Sequence, residues 1–220
     1  MRGGIFLGLV GGLGLVVLLS LGGWQLQRLA WKQGVLATIE TRIAAAPVAL
    51  PDQPDEDRDR YLAVEVSGEI APDELHVFWV VPGQGAGYRV ISPFVTDAGR
   101  RILIDRGYIA AADKGAARAS GPATLAGNLL WPDEGDFTTP PPDEVSNILY
   151  ARDLAYMATR LGTEPLLLVV RAGETGATPL PVSTEGIPNN HLQYAITWFS
   201  LALIWAAMTL AFILRTRSKP

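Results

Sequence analysis

Cysteine is absent from the 220-residue chain. Its absence excludes disulfides, thiolate metal sites and covalent haem attachment through a CxxCH motif. Histidine is scarce, with two residues, His76 and His191. No GxSxG, HExxH or Walker sequence occurs, so the common nucleophile–base, zinc-hydrolase and phosphate-loop arrangements are not encoded. Positive charge is in deficit, with a net charge of −4 at neutral pH. That balance argues against a surface built for nucleic-acid phosphates. Charge is also missing locally: residues 3–27 carry none, and neither do residues 192–214.

A bilayer core of roughly 30 Å is crossed by about 20 apolar helical residues. Both charge-free runs meet that length. They predict two transmembrane helices flanking one water-exposed domain, and about 160 residues remain for that domain and its core. The expected organisation is a first transmembrane helix over 1–23, a helical extension over 24–46, a β-rich domain over 47–187, a second transmembrane helix over 188–214 and a basic tail over 215–220. Arg2 precedes the first span, and Arg215, Arg217 and Lys219 follow the second. Cytoplasmic flanks carry the Lys/Arg excess. Both termini are therefore expected in the cytoplasm and the central domain in the periplasm, across a cell inner membrane. Arg28 and Lys32 oppose that bias at the first span. A cleaved signal peptide is the competing reading of the N-terminus. The apolar run is long for one, however, and no small-x-small cleavage site follows it directly, so a retained anchor is expected.

Helical spacing continues past the first span through Trp24, Gln25, Arg28, Leu29, Trp31, Lys32, Val35, Leu36 and Ile39. It predicts a helix to about Ala45, stopped by Pro47 and Pro51. The charged stretch 51–60 reads as a solvated linker; a calcium loop would need a Gly and a distal Glu that are missing. Period-two alternation then predicts strands over 61–68, 75–81, 88–94, 102–109, 125–130, 148–150 and 166–171. Residues 82–87 read as a hairpin turn, and 110–122 and 132–145 as loops. Asp153 caps a short helix that ends at Gly162. The fold class is thus a membrane protein: two transmembrane α-helices flanking a periplasmic, mainly antiparallel β domain, barrel or sandwich, with short helices.

The start of the second span holds the chemistry of interest. Asn189 or Asn190 suits a helix N-cap, which puts His191 in the first turn. Tyr194, Trp198 and Trp205 follow on the same helical face. The positive end of a helix favours a neutral imidazole, the form that binds a metal or haem iron. A bland reading stands beside this one. Tyr and Trp are common at membrane interfaces, where a His can simply bond headgroups, and Ala195, Ala202 and Ala206 can pack against the first helix. If both helices cross, Trp24, Gln25 and Arg28 share one membrane face with His191, Gln193 and Tyr194. An aromatic floor, an imidazole and the cations Arg28 and Lys32 suit a flat amphiphile with a ligatable metal and carboxylate tails, such as haem. Snorkelling of Arg28 and Lys32 to lipid phosphates is the alternative. Asp105 and Arg106 read as a structural ion pair or turn, or as a partner contact.

Three segments carry a resemblance. Leu21-Gly22-Gly23-Trp24-Gln25-Leu26-Gln27-Arg28 with Trp31-Lys32 is similar to an LGxWQxxRxxWK pattern. Gly87-Tyr88-Arg89-Val90-Ile91-Ser92-Pro93-Phe94, followed by Ile102-Leu103-Ile104-Asp105-Arg106-Gly107-Tyr108-Ile109, is similar to GyxVixPf…iLVnRGWvP. Here Asp105 stands for the usual Asn and Tyr108 for the usual Trp. Asn189-Asn190-His191-Leu192-Gln193-Tyr194-Ala195-Ile196-Thr197-Trp198-Phe199 is similar to NNHLxYAxTWf. Together they resemble the Surfeit locus protein 1 family, assembly factors of cytochrome c oxidase. The resemblance implies transient haem a binding, with His191 as candidate iron ligand. It implies delivery to subunit I as the partner, and assembly rather than catalysis; haem a synthase is a further candidate partner. The shared membrane face read above sets Trp24, Gln25, Arg28, Lys32, Tyr194 and Trp198 around the group. A membrane scaffold that touches no haem is the other reading.

Overall fold

A computed structural model describes residues 2–217; Lys219 of the expected basic tail lies outside the described residues. The chain forms two compact units, one made of residues up to Thr38 with those from Thr184 onward, the other Ile39–Ser183.

The first unit is helical. Helix α1 spans Arg2–Ala44, and a later helix, α4, spans His191–Arg217. Both are long and apolar enough to cross a membrane. Their outer faces are lined by exposed apolar side chains such as Leu9, Leu13, Val16, Leu203, Ile204 and Leu210, the surface a lipid-facing helix presents. The end of α1 at Ala44 agrees with the stop expected from Pro47.

The second unit is the β-rich domain. Its strands are β1 (Val48–Ala49), β2 (Ala63–Ile70), β3 (Leu75–Val81), β4 (Gly85–Thr96), β5 (Arg101–Ala110), β6 (Gly121–Leu130), β7 (Ile148–Leu149) and β8 (Leu167–Ala172). They form one sheet in the order β1-β2-β6-β8-β5-β4-β3-β7. A further pairing of β2 with β4 closes the central five strands into a barrel-like ring. Closure depends on Gly68, because a Cβ there would stand 2.1 Å from the Val95 carbonyl oxygen. Most pairings are antiparallel as expected, but β1–β2, β3–β7 and β5–β8 run parallel. The β5-to-β8 connection is long enough for a parallel crossover.

Burial follows the pleat of β5. Ile102 and Ile104 join the barrel interior with Val64, Phe94, Leu125 and Leu168. Leu103 faces the opposite side, where Leu75, Ile91, Leu167 and Val169 pack beneath helix α3 (Leu154–Leu161). Both faces of β5 are thus covered, so the strand reads as a continuous buried run. Helix α3 begins where Asp153 accepts a bond from the Tyr156 N–H at 2.9 Å, and it ends at left-handed Gly162.

The stretch 51–60 is not the free linker expected. It contains a short helix, α2 (Glu56–Asp59). Asp59 is buried and takes both Arg58 Nε at 3.0 Å and Arg58 Nη2 at 2.7 Å. An acid with a local guanidinium and the Asp55 N–H as donors can leave water without losing its hydrogen bonds.

Candidate functional site

Small residues let the two long helices of the first unit approach closely. A Cβ at Gly11 would fall 2.2 Å from Thr209 Cγ2, one at Gly14 would fall 2.6 Å from the Trp205 indole, and one at Gly22 would fall 2.7 Å from the Phe199 ring. The Trp205 Nε1–H donates to the Gly11 carbonyl at 2.9 Å, and Ala195 and Ala202 are buried. As numbers rise along α1 their partners fall along α4, so the helices run antiparallel. Close contact through small residues is how helices associate where lipid removes the hydrophobic drive.

The same register brings Gln25 to His191. The imidazole Nδ1 lies 2.9 Å from Gln25 Oε1. Gln25 is 9% exposed and His191 is half-buried. Among the described residues no group bonds His191 Nε2, and the buried Asn189 Oδ1 also has no partner. Asn190 takes the cap position, its carbonyl accepting the Tyr194 N–H at 3.2 Å.

The other expected members differ in exposure. Trp24 and Tyr194 are each 55% exposed, while Lys32 and Trp198 are half-buried. The Arg28 guanidinium stacks over Trp31, 4.1 Å from the ring centroid. Among the described residues no side-chain hydrogen bond or ring contact joins Trp24, Lys32, Tyr194 or Trp198 to His191. The face expected to carry His191, Tyr194, Trp198 and Trp205 divides: Trp205 bonds α1, while Tyr194 remains exposed.

The domain holds two charge networks that the sequence did not reveal as such. Asp105, fully buried, accepts Arg89 Nε at 2.6 Å, Arg152 Nη1 at 3.4 Å and the Gly107 N–H at 3.1 Å. Arg152 also pairs with Glu134. Both guanidinium groups approach Trp79, at 5.2 Å for Arg89 and 5.4 Å for Arg152. Asp105 is therefore a structural ion-pair member, but its partners are Arg89 and Arg152 rather than its neighbour Arg106. Arg106, on the barrel-interior side of β5 by period two, bonds the carbonyls of Thr175 and Ala119 instead.

The second network centres on Glu74, which pairs with Arg118 and lies 3.1 Å from His76 Nε2. Burial works to raise the Glu74 carboxyl, but its bonds to Arg118 and His76 bring it down to about 2. His76 is further held by Asn147 and Tyr88, a structural role. A cavity of about 570 Å³ lies beside Tyr108, Asp113, Arg118 and Thr178. Its one guanidinium is already committed to Glu74, which leaves the Asp113 carboxylate as the other charged group in the lining. Among the described residues no group of three or more His, Asp or Glu is placed to hold a metal ion. The one signal for the first network was a charged residue inside each of two apolar strand patterns: Arg89 between Tyr88 and Val90, and Asp105 after Ile104.

Comparison with known proteins places this architecture. The sequence profile of the SURF1 family matches residues 13–203, a stretch that takes in most of α1, the whole domain and the first half of α4. The chain belongs to the SURF1 family. It is 29% identical over 213 residues to Surfeit locus protein 1 of Xenopus tropicalis, covering 84% of this chain and 69% of that protein. It is 31% identical over 214 residues to a SURF1-like protein of Monosiga brevicollis, covering 88% and 82%. A bacterial SURF1-like protein, from Rickettsia bellii, is 28% identical over 200 residues, covering 85% and 82%. Gln25 and His191 therefore both lie within the SURF1-family region of the chain.

Proposed function

We propose that this SURF1-family chain is an assembly factor for cytochrome c oxidase that binds haem a transiently and passes it to subunit I. The observation that carries the reading is the His191 imidazole, tied at Nδ1 to Gln25 and open at Nε2. An imidazole with one nitrogen anchored and the other open is the form that ligates iron. The donor set fits the cargo. Haem a brings an iron for one nitrogen, a broad apolar face and two propionates. His191 meets the iron, and the exposed rings of Trp24 and Tyr194, with Trp198, meet the macrocycle. Arg28 and Lys32 meet the propionates. The role is handover, not catalysis.

In this reading α1 and α4 cross the inner membrane with both termini in the cytoplasm, and the β domain lies in the periplasm. Subunit I receives the cargo and haem a synthase supplies it. The exposed apolar side chains Phe78, Val80 and Tyr150 on the domain favour a second reading, a scaffold that docks nascent subunit I or the synthase and touches no haem. The discriminating experiment purifies the chain after co-expression with the enzymes that make haem a. A Soret band that is lost in His191→Ala supports haem binding. No band, with stable co-purification of subunit I, refutes it in favour of the scaffold.

A further inference from the structure

We infer that Gln25 is a positioning residue for His191: its side-chain carbonyl fixes the imidazole proton on Nδ1 and so keeps Nε2 as a free lone pair. The iron-binding half of this inference rests on the haem reading above; the tautomer half stands on the hydrogen bond alone. A carbonyl oxygen can only accept. With Gln25 Oε1 at 2.9 Å from Nδ1, the ring nitrogen must be the donor. A neutral imidazole has one proton to place, so Nε2 is left bare. Which nitrogen of a histidine can ligate is decided by the hydrogen bond that the other one makes.

The setting supports a fixed orientation. Gln25 is 9% exposed, with little water to compete for its carbonyl. It reaches His191 across 166 residues of sequence, held by a helix contact that Gly11, Gly14 and Gly22 make close. The opposite arrangement, with the Gln25 amide donating to Nδ1, would move the proton to Nε2 and close the ligating atom. Gln25 therefore acts on the cargo through His191 and not by touching it. Metal-ligating histidines commonly donate their second N–H to a fixed acceptor, and loss of that acceptor typically costs about 10–100-fold in affinity.

The test uses the full chain in lipid nanodiscs. Nitrogen-15 NMR of the histidine ring, without haem, reads the tautomer, and His191→Ala assigns the signals against His76. The expected result is a proton on Nδ1 of His191 in the native chain and its redistribution to Nε2 in Gln25→Leu. A native chain with the proton on Nε2, or a tautomer unchanged in Gln25→Leu, overturns the inference. Haem a titration then separates positioning from packing. Gln25→Leu is expected to weaken binding by about 10–100-fold, whereas Gln25→Glu, which still accepts from Nδ1, retains it. Equal losses in both variants overturn positioning in favour of a packing role. A Gly11→Cys/Thr209→Cys disulfide formed in the same backgrounds reports that the helices remain paired. If His191→Ala leaves haem affinity unchanged while the tautomer responds to Gln25, the hydrogen-bond assignment is supported and only the haem reading is lost.

Discussion

Replacing Asp105 by alanine should destabilise the β domain by about 3–5 kcal/mol, the usual cost of removing one partner from a buried ion pair. The structure sets the scale. Asp105 is fully buried, Arg89 and Arg152 are nearly so, and both guanidinium groups point at one carboxylate oxygen. Without it, Arg152 keeps Glu134, but Arg89 keeps as hydrogen-bond acceptor only the Leu180 carbonyl at 2.7 Å, beside the Trp79 ring. A buried cation is then left without a hydrogen-bonded anion. At this domain size each kcal/mol shifts the midpoint by about 2–4 °C, so a fall of about 6–20 °C is expected. The assay is thermal and urea unfolding of the full chain in nanodiscs, followed by tryptophan fluorescence, because Trp79 lies against both arginines. Asp105→Asn keeps an acceptor for the Gly107 N–H and should cost less, about 1–3 kcal/mol. The double replacement Asp105→Leu with Arg89→Met should recover part of the loss, since it removes both charges. An Asp105→Ala chain within about 1 kcal/mol of the native one would refute the claim that this network is desolvated and structural.

Glu74 makes stability depend on acid. Its carboxyl is lowered to about 2 in the fold, so its contribution is complete above the unfolded value near 4.5 and is lost as pH falls from there toward 2. Acid titration of the native chain against Glu74→Gln should show this limb shrinking in the variant; identical acid limbs would contradict it. A Gly11→Cys/Thr209→Cys pair should oxidise readily in native membranes, because a Cβ at position 11 would lie 3.2 Å from Thr209 Cβ, close to disulfide spacing. The natural absence of cysteine makes the product unambiguous, and failure to crosslink would deny the antiparallel pairing. Reporter fusions after residue 220 should behave as cytoplasmic and fusions near Gly115 as exported; the reverse pattern would refute the proposed orientation.

What the sequence disclosed was what local physics controls. Charge-free runs identified both long helices, and Asp153 and Gly162 marked the ends of α3 through capping chemistry. Period two located the strands, though β4 extends to Gly85 and Thr96, beyond the apolar core 88–94. The closure of β2 on β4 was hidden, because pairing between Gly68 and Thr96 depends on the curvature of the whole sheet and not on either segment. The ion networks were hidden for a similar reason. Arg118 stands 44 residues from Glu74, and Arg152 stands 47 from Asp105, so neither partner is marked locally. At the candidate site, His191 at the start of its helix and Gln25 within the other were legible as residues of one membrane face. Their contact, across 166 residues, required the register that the helix glycines set. Spacing alone grouped Tyr194 with Trp205, whereas packing turned Trp205 onto Gly11 and left Tyr194 exposed.

The question of cargo comes down to whether the nitrogen of His191 bonds iron. Resonance Raman spectroscopy of haem a bound to the full chain, with and without nitrogen-15 histidine, reads that bond directly. An iron–histidine stretch that shifts with the label and disappears in His191→Ala is the predicted result. A spectrum with no label-sensitive stretch, or one whose stretch survives in His191→Ala, would contradict the assignment.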